Sequence, residues 1–258
     1  MRFLILSLLA IPLLYSCETT PAISAEKASE FDTYWYKGKA ELTSYHLEQA
    51  RYGEIHQGHA VLIFVTEHFS NKDHVKTDKV NGNTSAVPIL KMNATRKFNT
   101  GIYPYSLMTS AFTPVDVKEH PLPLKLSFSG QEWCGHAYSQ LKLVDDQYQY
   151  NLHSYFEGEA DKIDVFNAVM SEDGLMNCIR INPDMIRVGN HDLLPPLRHL
   201  RLLHLELKPQ KATVSKEKKE TTTVLSIDYE DIDRSVKIEY QIEFPHAVEG
   251  WTETYASG

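Results

Sequence analysis

Apolar and polar residues alternate through most of the chain after residue 30, and this pattern predicts antiparallel β-strands. Residues 235–244 show it most clearly, because Val236, Ile238 and Tyr240 alternate with charged side chains. Turn-forming residues separate successive runs, and a long polar loop is expected at 70–86. The predicted strands cover residues 40–51, 54–66, 87–92, 98–109, 121–128, 132–144, 147–157, 197–207, 221–229 and 235–244.

One segment has a different period and predicts a helix. Between residues 161 and 181, apolar side chains recur at the spacing of an amphipathic helix. Gly174 interrupts this stretch, and Asn182-Pro183 is expected to end it. The pattern therefore predicts a mainly β (α+β) fold, with a strongly curved antiparallel sheet or partly open β-barrel and one helical insertion around residues 161–181. Residues 31–258 are expected to form a single β-rich domain.

The segment 131–136 (Gln-Glu-Trp-Cys-Gly-His) is the chemically richest part of the chain. A two-residue turn at Asp145-Asp146 would pair strands 132–144 and 147–157. This register places Cys134 opposite Glu157, His136 opposite Tyr155, and Tyr138 opposite His153, with the large apolar side chains on the other face. The polar face then collects Glu132, Cys134, His136, Tyr138, His153, Tyr155 and Glu157.

That polar face has several interpretations. Cys134, His136 and Glu157 are candidate catalytic residues, because an imidazole can activate a thiol as a nucleophile. One alternative is a site for a soft metal ion. Another is a ligand-binding surface without catalysis, formed by Glu132, Tyr138, His153 and Tyr155. A structural polar face is the interpretation that we favour. The sequence indicates no cofactor and no definite metal site.

A second stripe combines aromatic residues with cations. Tyr103, Tyr105 and Met108 follow Arg96-Lys97, and such a stripe could meet a lipid headgroup or a glycan. Packing of these side chains in the core of a strand is the favoured interpretation.

Charge limits the choice of partners. The chain has 26 basic and 34 acidic residues, a net charge of −8, and no extended basic cluster, which argues against nucleic-acid binding. Twelve histidines invite a search for metal ligands, but no His-Glu-x-x-His motif is present.

The first sixteen residues have the layout of a secretory signal peptide. Arg2 precedes an apolar run that is too short to cross a bilayer, and Leu14-Tyr15-Ser16-Cys17 resembles a bacterial lipobox. Cys17 is therefore expected to carry lipid, with residues 17–30 as a flexible tether. Cleavage near residues 24–25 is the alternative. The expected location is the bacterial cell envelope, anchored to a membrane whose identity stays open.

With Cys17 assigned to lipid, Cys134 and Cys178 remain. Outside the cytoplasm two such residues can form a disulfide, and two separate thiols are the alternative.

Four segments, residues 34–45, 99–106, 131–136 and 153–161, resemble an uncharacterised family of bacterial envelope lipoproteins. Members of that family sometimes carry the label "septum formation inhibitor Maf". Maf pyrophosphatases are cytoplasmic and have an early Ser-Pro-Arg-Arg motif, which this chain lacks. The resemblance therefore implies an envelope location, but it does not imply any enzymatic activity.

Three functional hypotheses follow. The first is a lipid-anchored, non-catalytic domain that binds an apolar or amphipathic ligand or a partner. The second is an envelope enzyme that uses Cys134 and His136. The third is a scaffold protein without a pocket.

Overall fold

The computed structural model describes residues 29–82, 84–116 and 122–256. Strands make up 59% and helices 11% of these residues, and the main sheet curls into a half-barrel, which confirms the predicted fold class. The α-helices are α1 (Glu30–Trp35), α2 (Leu175–Ile181) and α3 (Leu197–Leu202), and 3-10 turns lie at Glu172–Gly174 and Pro183–Met185. The strands are β1 (Glu41–Arg51), β2 (Glu54–Ser70), β3 (Val75–Lys76), β4 (Ala86–Thr100), β5 (Tyr103–Pro114), β6 (Lys125–Glu132), β7 (Gly135–Val144), β8 (Gln147–Ser154), β9 (Lys162–Asn167), β10 (Met170–Ser171), β11 (Gly189–Leu194), β12 (Gln210–Lys218), β13 (Thr222–Tyr229), β14 (Arg234–Gln241) and β15 (Val248–Tyr255).

The larger sheet is a long antiparallel meander. Its strand order is β1-β2-β4-β5-β6-β7-β8-β9, with the short β3 paired to β2. Consecutive strands pair because tight turns join them, as at Tyr52-Gly53 and Asp145-Asp146, where both residues of each turn have positive φ. In this respect the predicted hairpins at residues 52–53 and 145–146 are both present.

The smaller sheet packs against the larger one across a shared core. Its order is β10-β11-β12-β13-β14-β15, antiparallel except for the parallel pair β10–β11. The last strand lies against β1, because the Tyr45 hydroxyl donates to the Val248 carbonyl at 2.7 Å and the Tyr45 and Trp251 rings are 4.9 Å apart. Buried side chains from both sheets form one continuous hydrophobic cluster.

Helix α2 is anchored on the inner face of the larger sheet by one amide. The Asn177 side-chain nitrogen lies 2.9 Å from the Leu90 carbonyl, 3.2 Å from the Ala111 carbonyl and 2.9 Å from the Thr113 hydroxyl. Asn177 is fully buried. This amide fixes the position of α2 over β4 and β5, because a buried backbone carbonyl is costly to leave without a donor.

The helix predicted at residues 161–181 is only partly correct. Residues Lys162–Asn167 form the edge strand β9, paired with β8, and helix α2 starts at Leu175. The apolar spacing favours a helix here, but pairing with the exposed edge of β8 overrides it. Asn182-Pro183 does end the helix, as predicted.

Two predicted strands also differ. Residues 98–109 span the turn between β4 and β5, and part of the strand predicted at 197–207 is helix α3, which follows Pro196 as its N-cap. Proline fixes a backbone angle that suits a helix start, so Pro195-Pro196 leads into a helix here instead of an extended segment.

The signal peptide (residues 1–16), the lipidated Cys17 and most of the tether predicted at 17–30 lie outside the described residues. Among the described residues, none of the helices has the length and apolar character needed to cross a membrane.

Candidate functional site

Four connections of the larger sheet emerge at the same end, because antiparallel strands reverse direction at each turn. They are the turns at residues 52–53, 101–102 and 133–134 and the segment 155–161 between β8 and β9. We call this the turn end. Together with the C-terminal part of α3 it frames a cleft of about 160 Å³. The cleft is lined by Arg51, Tyr52, Thr100, Tyr103, Tyr105, Glu132, Cys134, Phe156, Arg201 and His204.

Aromatic rings form much of the wall. Tyr105 stacks on Phe98 with ring centroids 4.7 Å apart, and its hydroxyl lies 3.1 Å from that of Tyr52. Tyr103 lies 5.3 Å from Tyr105 and 5.4 Å from Trp133, centroid to centroid. These contacts make a continuous aromatic surface from the first turn to the third.

Two arginines lie behind these rings. Arg51 is 6% exposed and Arg201 is 7% exposed. The Arg51 guanidinium lies 4.2 Å from the Tyr52 ring centroid and donates to the Leu202 carbonyl, while that of Arg201 lies 3.7 Å from the Phe156 ring. Cation–π contact explains why guanidinium groups pack against aromatic faces at this depth.

The hydrogen bonds of these arginines are incomplete. Arg201 donates from Nη2 to the Glu132 carboxylate at 2.6 Å, whereas its Nη1 has no hydrogen-bond partner among the described residues. The Nε of Arg51 is also without a partner there. A buried donor without an acceptor is costly, so an oxygen-bearing ligand in the cleft would recover hydrogen bonds that the protein does not supply.

Glu132 and Cys134 belong to this cleft. The Tyr103 hydroxyl donates to Glu132 at 3.2 Å and accepts from the backbone N–H of Cys134 at 2.7 Å. Desolvation, the Cys134 side chain and the Glu132 carboxylate raise the pKa of Tyr103 to about 12, although the hydrogen bond from the Cys134 backbone N–H opposes the shift, so the phenol stays protonated at neutral pH. Tyr103 thereby holds the turn at residues 133–134 in place.

The predicted polar face is only partly present. The strand predicted at 132–144 is broken, because Glu132 ends β6, Gly135 begins β7, and Trp133-Cys134 form the turn between them. From residue 137 onward the predicted register is correct, and Tyr138 lies opposite His153. Strand β8 ends at Ser154, so the pairs of Cys134 with Glu157 and of His136 with Tyr155 do not form in the ladder.

A glycine explains this break. A Cβ atom at Gly135 would lie 2.6 Å from ring atoms of Tyr155, so only glycine lets the chain turn this close to that ring. Gly135 is therefore the sequence signal for the turn, which the alternation of polar residues around it concealed.

The candidate residues therefore lie in different places. His136 and Tyr138 line an outer depression of about 380 Å³ with Lys97 and Gln131, on the sheet face opposite the cleft. His153 is exposed and pairs with Asp161 at 3.0 Å. Tyr155 and Glu157 are exposed in the segment after β8. Cys134 and His136 therefore lie in separate depressions, and the Cys134–His136–Glu157 cluster is not assembled.

The disulfide alternative is also contradicted. Cys134 and Cys178 are not joined by a disulfide. Cys134 is exposed in a turn at the edge of the cleft, whereas Cys178 is buried in α2 within the core, and burial raises the pKa of Cys178 to about 12. Among the described residues no group of three or more His, Cys, Asp or Glu side chains could hold a metal ion.

Arg51 and Arg201 were not identified from the sequence. They are far apart along the chain, and Arg201 lies in a segment predicted as a strand, so no local pattern links them. Tyr103 and Tyr105 were singled out with their stripe, although core packing was favoured for both. Tyr105 is indeed buried, while its hydroxyl reaches Tyr52 at the cleft.

A second, partly open cavity of about 60 Å³ lies between the two sheets. Glu253 on its wall accepts hydrogen bonds from Arg96 at 2.6 Å, Arg198 at 2.5 Å and Arg234 at 3.1 Å. Arg234 also pairs with Glu172. The space is sufficient for a few water molecules at most. We interpret this group as a buried ionic network that joins the two sheets.

Comparisons with known proteins identify no family. No protein-family description and no curated protein matches the sequence. Among solved structures, the fold is similar to the crystal structure of a β-barrel-like protein with a domain of unknown function from Brucella abortus. The two chains share 9% sequence identity with a TM-score of 0.45, over 84% of this chain and 91% of the other.

Proposed function

We propose that this chain is a non-catalytic, lipid-anchored binding domain of the bacterial envelope, and that its cleft takes the anionic head of an amphipathic ligand. The observation that carries the proposal is the pair of nine-tenths-buried arginines, each with an unused N–H donor, beside aromatic rings. The envelope location rests on the lipobox-like segment that ends at Cys17.

Charge and shape support an anionic, amphipathic ligand. Guanidinium donors match the geometry of carboxylate and phosphate oxygens, and Arg51 has no carboxylate partner among the described residues. Tyr52, Tyr103 and Phe156 provide apolar surface next to these donors. A volume of about 160 Å³ is below the ~300–1,000 Å³ of pockets for drug-sized ligands, so only a head group and the adjoining atoms fit.

The separation of Cys134 and His136 supports binding over catalysis. A thiol nucleophile needs a base within hydrogen-bond reach, and His136 lies on the opposite face of the sheet. The imidazole that does line the cleft, that of His204, is hydrogen-bonded to the Glu159 carboxylate. Apart from the Cys134 thiol and the Glu132 carboxylate, which accepts from Arg201 and Tyr103, the cleft presents hydrogen-bond donors and rings, which hold a ligand without reacting with it.

Titration calorimetry with decyl phosphate tests the proposed ligand class. The wild-type protein should bind decyl phosphate, and should bind decanol and inorganic phosphate far more weakly. Arg51→Met should weaken decyl phosphate binding by roughly 10–100-fold, because a hydrogen bond to a charged group contributes about 1.5–3 kcal/mol.

Lys97→Met is the matched control, because it removes a cation from the outer depression on the other face of the same sheet. It should leave the affinity unchanged. Equal binding of decyl phosphate by wild type and Arg51→Met, with both proteins folded by circular dichroism, would refute the anion site.

The anchor has its own test. Cys17→Ser in the full chain should move the protein from the membrane fraction to the soluble fraction, or leave its signal peptide uncleaved, because the only residue proposed to carry lipid is lost. Fractionation followed by immunoblotting measures this. Normal membrane retention of the variant, with cleavage near residues 24–25, would contradict lipidation.

A further inference from the structure

Each of the four connections at the turn end carries a large, exposed side chain. Ile102 is 86% exposed, Tyr155 72%, Trp133 65% and Tyr52 58%. Scattered exposed apolar residues are ordinary on a protein surface, whereas a group at one end of a sheet marks an interaction surface. We call these four residues the tip residues.

Contacts beneath the tips show that they form one continuous rim. Tyr52 reaches Tyr105 through their hydroxyls, Trp133 packs against Tyr103, and Tyr155 lies against Gly135. Ile102 is adjacent to Tyr103 in the turn between β4 and β5. The tips therefore project together around the mouth of the cleft.

The backbone conformation of Tyr52 supports a functional role for its side chain. Tyr52 has φ +53° and precedes Gly53 with φ +74°, a turn conformation that Asn and Gly adopt with least strain. A bulky aromatic residue is unusual there. Such strain at an exposed ring is more often found at functional positions than elsewhere.

We infer that the tip residues are a membrane-docking surface that inserts into the headgroup region of a phospholipid bilayer. Trp and Tyr prefer this region because their rings are apolar while an N–H or O–H stays hydrated, and Ile adds purely apolar area. The tips come from four separate turns and offer no free strand edge, so they suit a fluid surface better than a partner strand.

Charges at the turn end set the lipid preference. Glu54 and Glu157 are exposed near the tips, alongside the buried Arg51 and Arg201. Because Glu54, Glu157 and Asp161 outnumber the partly exposed Lys162 at this end, docking is expected to depend on apolar insertion and not on anionic lipid. Vesicles of phosphatidylcholine alone should therefore bind the protein at least as well as vesicles with added phosphatidylglycerol.

The proposed anchor is compatible with this orientation. Strand β1 runs from Glu41, the end near α1, to Arg51 at the turn end, a length of about 34 Å at 3.4 Å per residue. The twelve residue-to-residue steps from Cys17 to Ser29 can span at most roughly 40 Å. An anchored domain could therefore bring its turn end to the membrane that holds it.

Vesicle flotation tests the inference without the anchor. The protein is produced from residue 17 onward with Cys17→Ser, which retains every described residue. It should float with phosphatidylcholine vesicles, and the double variant Ile102→Ser/Trp133→Ser should lower the vesicle-bound partition coefficient by at least about tenfold, because two large side chains no longer leave water.

The control removes two other apolar side chains that are also more than half exposed, away from the turn end. Leu42→Ser/Val188→Ser replaces residues that are 65% and 56% exposed, with Leu42 at the opposite end of β1. This double variant should float like the parent. Trp133 is the most exposed of the three tryptophans, so the fluorescence emission of the protein should shift to the blue when vesicles are added. The Trp133→Phe variant should not show this shift.

Separate outcomes distinguish docking from the proposed ligand site. Arg51→Met should still float, because the inference rests on the tips and not on the arginines. Absence of flotation by the parent, or equal flotation by the two double variants, would overturn the inference. So would self-association in sedimentation velocity that Ile102→Ser/Trp133→Ser abolishes, since the tips would then bind a second copy of the chain.

Discussion

Replacing Glu253 with glutamine should lower the free energy of unfolding by about 3–5 kcal/mol, the usual cost of breaking a buried ion pair. Glu253 is the common acceptor for Arg96 on the larger sheet, Arg198 on α3 and Arg234 on the smaller sheet. Glutamine has a similar shape but no charge, so Arg96 and Arg198 would lose their carboxylate partner among the described residues and Arg234 would keep only Glu172. The ionic link between the two sheets would then be lost.

The protonation state of Glu253 supports this role. Burial alone would raise its pKa, but the charges of Arg198, Arg96 and Arg234 hold the pKa of Glu253 well below its usual range. A depressed pKa means that the stabilisation is present above the unfolded-state pKa of about 4.3 and is lost as pH falls further. The difference in the free energy of unfolding between wild type and Glu253→Gln should therefore become smaller at strongly acidic pH.

Thermal unfolding at pH 7 measures the effect, and the midpoint should fall by on the order of 10 °C for a chain of this size. Glu239→Gln is the matched control on the neighbouring strand β14, where Glu239 forms an exposed pair with Lys219 at 2.8 Å. Exposed pairs contribute roughly 0–1 kcal/mol. Equal loss of stability in both variants would show that the Glu253 network does not join the sheets as described.

Local pattern and turn chemistry made part of this fold predictable. The hairpin register around Asp145-Asp146 was correct because two residues with positive φ fix a two-residue turn, and that turn fixes every following pair. The same argument applied at Tyr52-Gly53. Alternation together with the turn residues was therefore sufficient for these two hairpins, whereas the short turn at residues 101–102 was missed inside a predicted strand.

The pattern of apolar and polar residues gave wrong predictions where strand pairing or a single side-chain contact determines the structure. Residues 162–167 have helix-like apolar spacing, yet they form β9 because the edge of β8 is available for pairing. The turn at Trp133-Cys134 depends on the close approach of Gly135 to Tyr155, a contact that a single strand pattern does not contain. The predicted polar face was divided for that reason.

The candidate site was beyond sequence reasoning for a different reason. Arg51 lies on β1 and Arg201 on α3. The two side chains come together only because α3 packs against the end of the larger sheet. The same holds for the arginines around Glu253. Long-range ionic groupings leave no periodic trace in a sequence, whereas Glu132 and Cys134, which are close in the chain to Gly135, were found.

Between about pH 4 and pH 7 the stability of the protein should depend on pH through a second buried carboxyl group, that of Asp173. Asp173 lies in the wall of the cavity between the two sheets, and its carboxylate accepts a hydrogen bond from the Leu197 N–H at 2.9 Å. Burial, with Glu172 beside it, raises the pKa of Asp173 to about 7, although that hydrogen bond, Arg198 and Arg234 oppose the shift. In the unfolded chain an aspartate has a pKa of about 3.9.

The sign follows from proton counting. Between about pH 4 and pH 7 the folded state keeps a proton on Asp173 that the unfolded state has released, so this group lowers the unfolding free energy as pH rises through that window. Above about pH 7 both states are ionised and its contribution is constant. Asp173→Asn keeps an acceptor for Leu197 and removes the titration, so the variant should gain stability over wild type from pH 4 to pH 7.

Urea unfolding at a series of pH values measures that difference directly. Asp145→Asn is the control, because Asp145 is exposed in the β7–β8 turn, where its positive φ suits asparagine equally well. Its unfolding free energy should follow the wild-type curve throughout. If the Asp173→Asn curve also runs parallel to wild type between pH 4 and pH 7, Asp173 is ionised in the folded protein, and the charge of the buried network must then be balanced without a proton on this carboxyl group.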